Sequence, residues 1–192
     1  MIRTRCDNVD RVQQGDIIRD VDLVERVDEI SGVIEVRKIR FPLIIVLTQD
    51  CDLEQDAKFR LPDSLTQDKL LLSVLVAPLY NLAHVLNGMH LTELGLKMEP
   101  ISKKTPGRYL LNNERARFHY LDFPVDVPIV PSVIDFKHYF SVNEEYLRER
   151  KRSAFVCTVS FLYREDVSHR FASFLARIAL PDPQIASIGG AP

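Results

Sequence analysis

The stretch Phe41-Pro42-Leu43-Ile44-Ile45-Val46-Leu47-Thr48 is the clearest secondary-structure signal in the chain. It is apolar along nearly its whole length and rich in β-branched residues, which predicts a strand with both faces buried. Pro42 is compatible with this prediction because a residue near the start of a strand need not donate a hydrogen bond to the ladder. This stretch is the basis for predicting a β-rich core.

Other segments of the chain have the composition of neighbouring strands. Gly15-Asp16 gives a turn signal before the branched residues that run to Val21. Residues Leu70 to Pro78 predict a central strand that ends at its proline. Further β-type segments are predicted at Ile30 to Val36 (interrupted by the Ser31-Gly32 turn), Arg108 to Leu111, Arg117 to Phe123, Ile129 to Val142 and Val156 to Phe161.

Helical periodicity is strongest near the C-terminus. Apolar residues there line one helical stripe, which stops before Pro181; they are Val167, Phe171, Phe174, Leu175 and Ile178. Shorter helices are predicted at Tyr80 to Leu96 and Glu144 to Arg152. The sequence therefore predicts an α+β, β-rich fold: an SH3-like, partly open β-barrel with two or three helices, including a C-terminal one. We expect residues 1–192 to form a single domain with a loose tail from about residue 182.

Composition and charge narrow the class of protein. The formal net charge of −2 argues against a surface that binds nucleic acid all over, although a local basic patch remains compatible with it. The three cysteines are odd in number and far apart, which favours free thiols in a reducing compartment. The N-terminus lacks the apolar run of a signal peptide, and no apolar stretch approaches the ~20 residues of a membrane span. We expect a cytoplasmic protein with no membrane partner.

An acidic segment, Gln49 to Asp56, follows the strongest strand and is predicted to be a loop. Its carboxylates alternate, so in an extended conformation Asp50, Asp52 and Glu54 would share one face. Oxygen ligands of this kind suit Mg²⁺, which would support a metal-dependent phosphodiesterase. The alternative is a solvated acidic loop. Apart from this candidate Mg²⁺ site, the sequence predicts no cofactor.

Basic and aromatic side chains alternate in the segment Arg117-Phe118-His119-Tyr120. Alternation along a strand places Arg117 and His119 on a common face, where they could bind single-stranded nucleic acid. The alternative is the ordinary in–out alternation of a half-buried strand.

One family resemblance covers residues 14–80. The order Gly15-Asp16-Ile17-Ile18, then Arg40 followed by the apolar strand, then Val74 to Leu79 resembles the PemK/MazF toxins. The resemblance implies a small bacterial SH3-like barrel of a toxin–antitoxin system that cuts single-stranded RNA without a metal. It further implies that Arg40 stabilises charge on the scissile phosphate and that Thr48 holds the phosphate in place.

Two functions therefore compete. The first is an RNA-binding protein, and as an enzyme an endoribonuclease, with a basic cleft around Arg40. The second is a non-catalytic protein-interaction module of a multi-protein defence or mobile-element system, with an exposed apolar patch rimmed by charge. The partner is then single-stranded RNA or another protein, and a homodimer is compatible with either function. The metal-dependent phosphodiesterase is the third alternative.

Overall fold

The computed structural model describes residues 1–60, 66–101 and 105–177 of the chain. Its described strands form one antiparallel sheet in the order β1-β8-β2-β3-β4-β6-β5, with β7 paired to β4 beside β6, and the sheet curls into a half-barrel. The strands are β1 (Thr4–Arg5), β2 (Asp16–Ile30), β3 (Val33–Val46), β4 (Ser73–Asn81), β5 (Phe118–Leu121), β6 (Ser132–Asp135), β7 (Phe140–Asn143) and β8 (Phe155–Val159).

Helices pack on both faces of this sheet. They are α1 (Asp50–Phe59), α2 (Leu82–Leu86), α3 (Thr105–Leu111), α4 (Glu144–Ala154) and α5 (Phe161–Leu175), with 3₁₀ turns at Thr92–Leu94 and Phe136–His138. The predicted α+β, β-rich class with a partly open barrel is confirmed. The described residues hold more helices than the two or three that the sequence predicted.

Phe41 to Val46 of the apolar stretch form the end of β3, and Ile44 to Val46 are buried on both faces, as predicted. Pro42 is exposed and lies within the strand, not near its start as the sequence analysis assumed. Ile44 belongs to a core cluster covered by Leu53 of α1 and Leu147 of α4. Its neighbour Ile45 points to the opposite face, into a cluster that contains Phe171 of α5. The alternation of adjacent side chains between two cores explains why this segment reads as a continuous apolar run.

The longest element of the fold is the β2–β3 hairpin. Its turn residues, Ser31 and Gly32, both have positive φ angles of 54° and 80°, which is the geometry of a two-residue hairpin turn. The sequence analysis placed this turn correctly but assigned a short strand around it. The structure instead shows paired strands that extend on both sides of the turn.

The type of secondary structure was predicted wrongly in three segments. The acidic segment at Gln49 to Asp56 is not a loop, because α1 begins at Asp50. The predicted strand from Arg108 to Leu111 lies in α3. The predicted helix from Tyr80 to Leu96 is reduced to α2 and a 3₁₀ turn, because β4 continues to Asn81.

Pro78 does not end β4, as the sequence suggested, but lies within it. Residues 73–76 of β4 pair with β7, and residues 79–81 pair with β6. The proline therefore lies where β4 changes partners on that side, a position where a missing N–H is tolerated.

The predicted C-terminal helix and the charged helix before β8 are both confirmed as α5 and α4. Val167, Phe171 and Phe174 are buried, whereas Leu175 is 51 % exposed. Ile178 and the predicted loose tail lie outside the described residues. Within the described part of the chain, no helix is both long enough and apolar enough to cross a membrane.

Candidate metal centre

Two histidines and one aspartate converge at one end of the β4–β6–β5 part of the sheet. Donor atoms of His90, Asp135 and His138 all lie within 4.8 Å of one another. The Oδ2 atom of Asp135 is 3.6 Å from Nδ1 of His138. Two imidazoles and one carboxylate are an established ligand set for Zn²⁺ and Fe²⁺.

The local fold holds Asp135 and His138 on the same side. Asp135 is the last residue of β6, and its side chain accepts a hydrogen bond of 3.0 Å from the backbone N–H of Lys137. The 3₁₀ turn that follows brings position 138 above position 135. Phe136 within this turn is completely buried, so the apolar core fixes the turn against the sheet.

His90 reaches the same point from a sharp turn after α2. Gly88 has a φ of +70°, and a Cβ built at this position would lie 2.3 Å from the carbonyl oxygen of Met98. Only glycine fits both the positive φ and this close approach of the backbone. The turn is closed by a 2.8 Å hydrogen bond from the Met89 N–H to the His84 carbonyl.

Tyr80 of β4 completes the cluster of rings. Its hydroxyl lies 3.1 Å from Nδ1 of His138, and its ring stands edge-on to those of His90 and His138 at centroid distances of 4.9 and 5.7 Å. Burial and the nearby Asp135 charge raise the pKa of Tyr80 far above its usual value. The hydroxyl therefore stays neutral and can donate a hydrogen bond.

Arg117, immediately before β5, holds the carboxylate of Asp135. Its Nε lies 2.8 Å from Oδ1, and its Nη2 lies 2.5 Å from Oδ2. The guanidinium also lies over the ring of Phe118, 4.9 Å from the centroid. The bidentate contact with Arg117 orients the Asp135 carboxylate in an otherwise buried setting.

The two histidines are suited to bind a cation because both are held neutral. Burial lowers the pKa of His90 and also that of His138, each against an opposing effect of Asp135. Both ring nitrogens of His90 are buried and have no hydrogen-bond partner in the described part of the chain. Buried polar atoms are normally satisfied, and a metal ion would satisfy one of these nitrogens.

Cavities lie on both sides of His90. One, of about 440 Å³, is lined by His90 together with Arg115, Arg117 and Phe118. The other, of the same volume, has Tyr80 and His90 in its wall; most of its remaining lining is apolar and comes from β3 and the 89–94 segment. A ligand could therefore reach the cluster with an anionic group on the arginine side and an apolar group on the other.

Binding an ion requires a small contraction of the cluster. Ligands at ~2.1 Å from a tetrahedral ion are roughly 3.4 Å apart, whereas the donor atoms here lie up to 4.8 Å apart. Three protein ligands leave a coordination position open, as in catalytic rather than structural zinc sites.

Arg40 and Thr48, the catalytic residues that the toxin resemblance implies, lie far apart in the structure. Arg40 lies on the exposed part of β3, where it forms an ion pair of 2.7 Å with Asp22. Thr48 lies beyond the other end of the strand, roughly 20 Å or more away along the chain, and its hydroxyl accepts a 2.7 Å hydrogen bond from the Leu75 N–H. They do not form a joint site.

Arg117 and His119 lie in different environments. Arg117 borders a cavity and belongs to the cluster described above. His119 is only 2 % exposed and packs against Phe136, so its ring is not presented to solvent. Arg117 instead lies with Phe118, because its guanidinium stacks on that ring and both residues line one cavity. The predicted common face of Arg117 and His119 is therefore not formed, and the alternation did not reveal the burial of His119.

Asp50, Asp52 and Glu54 do not converge on a cation. They lie on α1, where successive positions two residues apart point to different sides. Asp50 is bound by Arg11 at 3.0 Å and by Arg164 at 3.3 Å, and Glu54 pairs with Lys58 at 2.6 Å. The extended face on which the Mg²⁺ prediction rested is absent, because this segment is helical.

The sequence analysis did not connect His90, which falls in its predicted helix from Tyr80 to Leu96, with Asp135 and His138. The spacing of Asp135 and His138 is a local signal that could have been noted. His90 lies far away along the chain, and nothing in the sequence links it to them.

No protein-family model, no curated protein and no solved structure matches this chain. The resemblance to the PemK/MazF toxins therefore stays a prediction.

Proposed function

We propose that this protein is a divalent-metal-dependent hydrolase of phosphodiesters, with His90, Asp135 and His138 as the metal ligands. The observation that carries the proposal is the convergence of their donor atoms within 4.8 Å. The supporting features are the neutral imidazoles, the ion-paired carboxylate and the adjoining cavity.

The chemistry follows from an open coordination position. A metal ion bound by three protein ligands lowers the pKa of a bound water toward 7 and so supplies a hydroxide nucleophile near neutral pH. A metal ion held by His90, Asp135 and His138 would supply this hydroxide for attack on phosphorus; the bond to the leaving oxygen would break, and that oxygen would take its proton from solvent. The neutral hydroxyl of Tyr80, 3.1 Å from Nδ1 of His138, would orient that ring.

The arginine side of the cluster favours a phosphate as the group attacked. Arg117 and Arg115 line the same cavity as His90. Arg117 already binds Asp135 through Nε and Nη2, which leaves Arg115 as the guanidinium that would bind a phosphate oxygen pair with two parallel hydrogen bonds and stabilise charge that develops on it. Single-stranded RNA is the first natural substrate to test, in line with the prediction from the sequence, but its cleavage is now assigned to different residues.

The test is hydrolysis of bis(p-nitrophenyl) phosphate and of a labelled mixed-sequence single-stranded RNA. The chain is stripped with EDTA and then reloaded with Zn²⁺, Mn²⁺ or Mg²⁺. We expect activity only with metal, and its loss in His90→Gln and His138→Gln by more than the roughly 100-fold that an outer-sphere change costs. His84→Gln is the matched control, because this neighbouring histidine is exposed.

The same assay distinguishes the toxin-like mechanism. Cleavage of RNA that survives EDTA, persists in His138→Gln and disappears in both Arg40→Ala and Thr48→Ala would support that mechanism and contradict the metal-dependent one. Absence of hydrolysis with every metal would contradict the proposed activity.

A further inference from the structure

The distal part of the β2–β3 hairpin, residues 24–38, extends from the rest of the sheet without cover; we call it the arm. On one side, β8 pairs with β2 only at Asp16–Ile18. On the other, β4 pairs with β3 only at Ile44–Val46. The arm is therefore a two-stranded ribbon with no further strand on either edge among the described residues. Such a ribbon is marginally stable in water on its own.

One face of the arm is apolar. The register pairs Val27 with Val36, Glu29 with Ile34 and Val24 with Lys38, so these six side chains share a face. The four aliphatic members of this set are 54–69 % exposed. The opposite face carries the charges of Arg26, Asp28, Glu35 and Arg37, followed at the turn by one exposed aliphatic pair, Ile30 and Val33. The larger contiguous patch of exposed β-branched residues on the first face is typical of a surface that a partner covers.

The charges at the ends of the apolar face are complementary to each other. Glu29 lies near the tip and has no ion pair among the described residues. At the base, Lys38 and Arg40 both contact the single carboxylate of Asp22, each at 2.7 Å, which leaves one positive charge in excess. The face is therefore negative at its tip, apolar in the middle and positive at its base.

We propose that the arms of two copies of this chain pack face to face and antiparallel about a two-fold axis near the Val27–Val36 pair. A two-fold interface must be self-complementary, and this arrangement places Glu29 of each copy beside Lys38 and Arg40 of the other. This dimer is one form of the protein partner and homodimer that the sequence analysis predicted. The proposal does not depend on the proposed hydrolase activity.

The size of the face sets the strength of the dimer. A ribbon face of roughly 25 by 10 Å buries only a few hundred Å² per copy, below the ~800 Å² of a standard stable interface. An interface of this size belongs to the weak, transient class, so the dimer must be measured across a wide range of protein concentration.

The test is sedimentation equilibrium of the full chain between roughly 5 and 500 µM, a range that spans micromolar dissociation constants. We expect a reversible monomer–dimer equilibrium that Glu29→Lys and Lys38→Glu each weaken by roughly tenfold, since each symmetric dimer then has two repulsive contacts in place of two attractive ones. An equimolar mixture of the two variants restores both attractive contacts, and therefore the dimer. Glu35→Lys, the same charge change on the opposite face, leaves the equilibrium unchanged.

Several results would overturn the proposal. These are a wild-type chain that stays monomeric at all concentrations, a mixture that does not recover the dimer, and an effect of Glu35→Lys as large as that of Glu29→Lys. Val27→Thr with Val36→Thr provides a second test, because threonine keeps the strand propensity but removes apolar surface; unchanged dimerisation of this folded double variant would also contradict it.

Discussion

Nζ of Lys151 lies 2.8 Å from Oδ2 of Asp16, and both side chains are buried. The Thr158 hydroxyl donates to the same carboxylate at 2.6 Å, and the Gln13 N–H donates at 2.7 Å. The ammonium group also donates to the Arg11 carbonyl. This network joins α4, β8 and the start of β2, so it links the helix that covers one core to the central strands of the sheet.

The first prediction concerns this buried ion pair. Lys151→Met leaves the Asp16 carboxylate buried without its cation, which we expect to lower the free energy of unfolding by about 3–5 kcal/mol. Urea denaturation measures this change. Arg152→Met on the same helix is the control: its partner Asp10 is 3.8 Å away and 88 % exposed, so we expect a loss below about 1 kcal/mol. Equal losses in the two variants would contradict the structural role assigned to Lys151.

The second prediction is a dependence of stability on pH through His119. Burial, followed by the nearby positive charge of Arg170, lowers the pKa of His119 to about 3, and Asp166 lies 4.0 Å from its Nε2. The histidine of the unfolded chain has a pKa near 6.5. Between these two values the unfolded state binds a proton that the folded state does not, so stability falls as the pH is lowered below about 6.5.

His119 is expected to lower the free energy of unfolding by about 1.4 kcal/mol per pH unit below 6.5, or by about 2 kcal/mol at pH 5. Urea denaturation at pH 7, 6 and 5 measures it. We expect His119→Leu to remove this part of the pH dependence, while the variant of an exposed histidine, His169→Leu, retains the wild-type slope. The same slope in all three proteins would show that His119 is not held neutral.

The third prediction tests the turn that places His90. Gly88→Ala introduces both a strained φ and a Cβ that meets the Met98 carbonyl, so we expect a destabilisation of about 1–3 kcal/mol and loss of metal binding. Gly32→Ala is the control, because Gly32 has a similar φ of +80° with nothing within 4 Å of its Cβ. It should show the cost of strain alone and bind metal normally. Normal metal binding by Gly88→Ala would contradict the role of this turn.

Local patterns predicted most of the sheet. The strand from Phe41, the Ser31-Gly32 turn and the last helix could be predicted because each is determined by residues close together in the sequence. The helix in the acidic segment could not be predicted, because alternating carboxylates are compatible with both a loop and a helix. The helix there is held by contacts distant in sequence, above all those from Arg11 and Arg164 to Asp50.

The candidate metal centre was less accessible to sequence reasoning. Asp135 and His138 are neighbours in the chain, but His90 reaches them only through the Gly88 turn and its close contact with Met98. Neither a positive φ nor a close approach of two backbone segments produces a periodic pattern in the sequence, so the position of His90 could not be predicted. Arg40 and Thr48, by contrast, were proposed from a linear motif; Arg40 lies in the exposed part of β3 and Thr48 lies beyond the far end of that strand.

The central claim is that His90, Asp135 and His138 bind a metal ion, and isothermal titration of the EDTA-stripped chain with Zn²⁺ tests it most directly. The account predicts one tightly bound ion per chain, lost in His90→Gln and in His138→Gln and retained in His84→Gln, with all three variants folded by circular dichroism. Absence of binding to the wild-type chain, or binding that is unchanged in His90→Gln and His138→Gln, would contradict it.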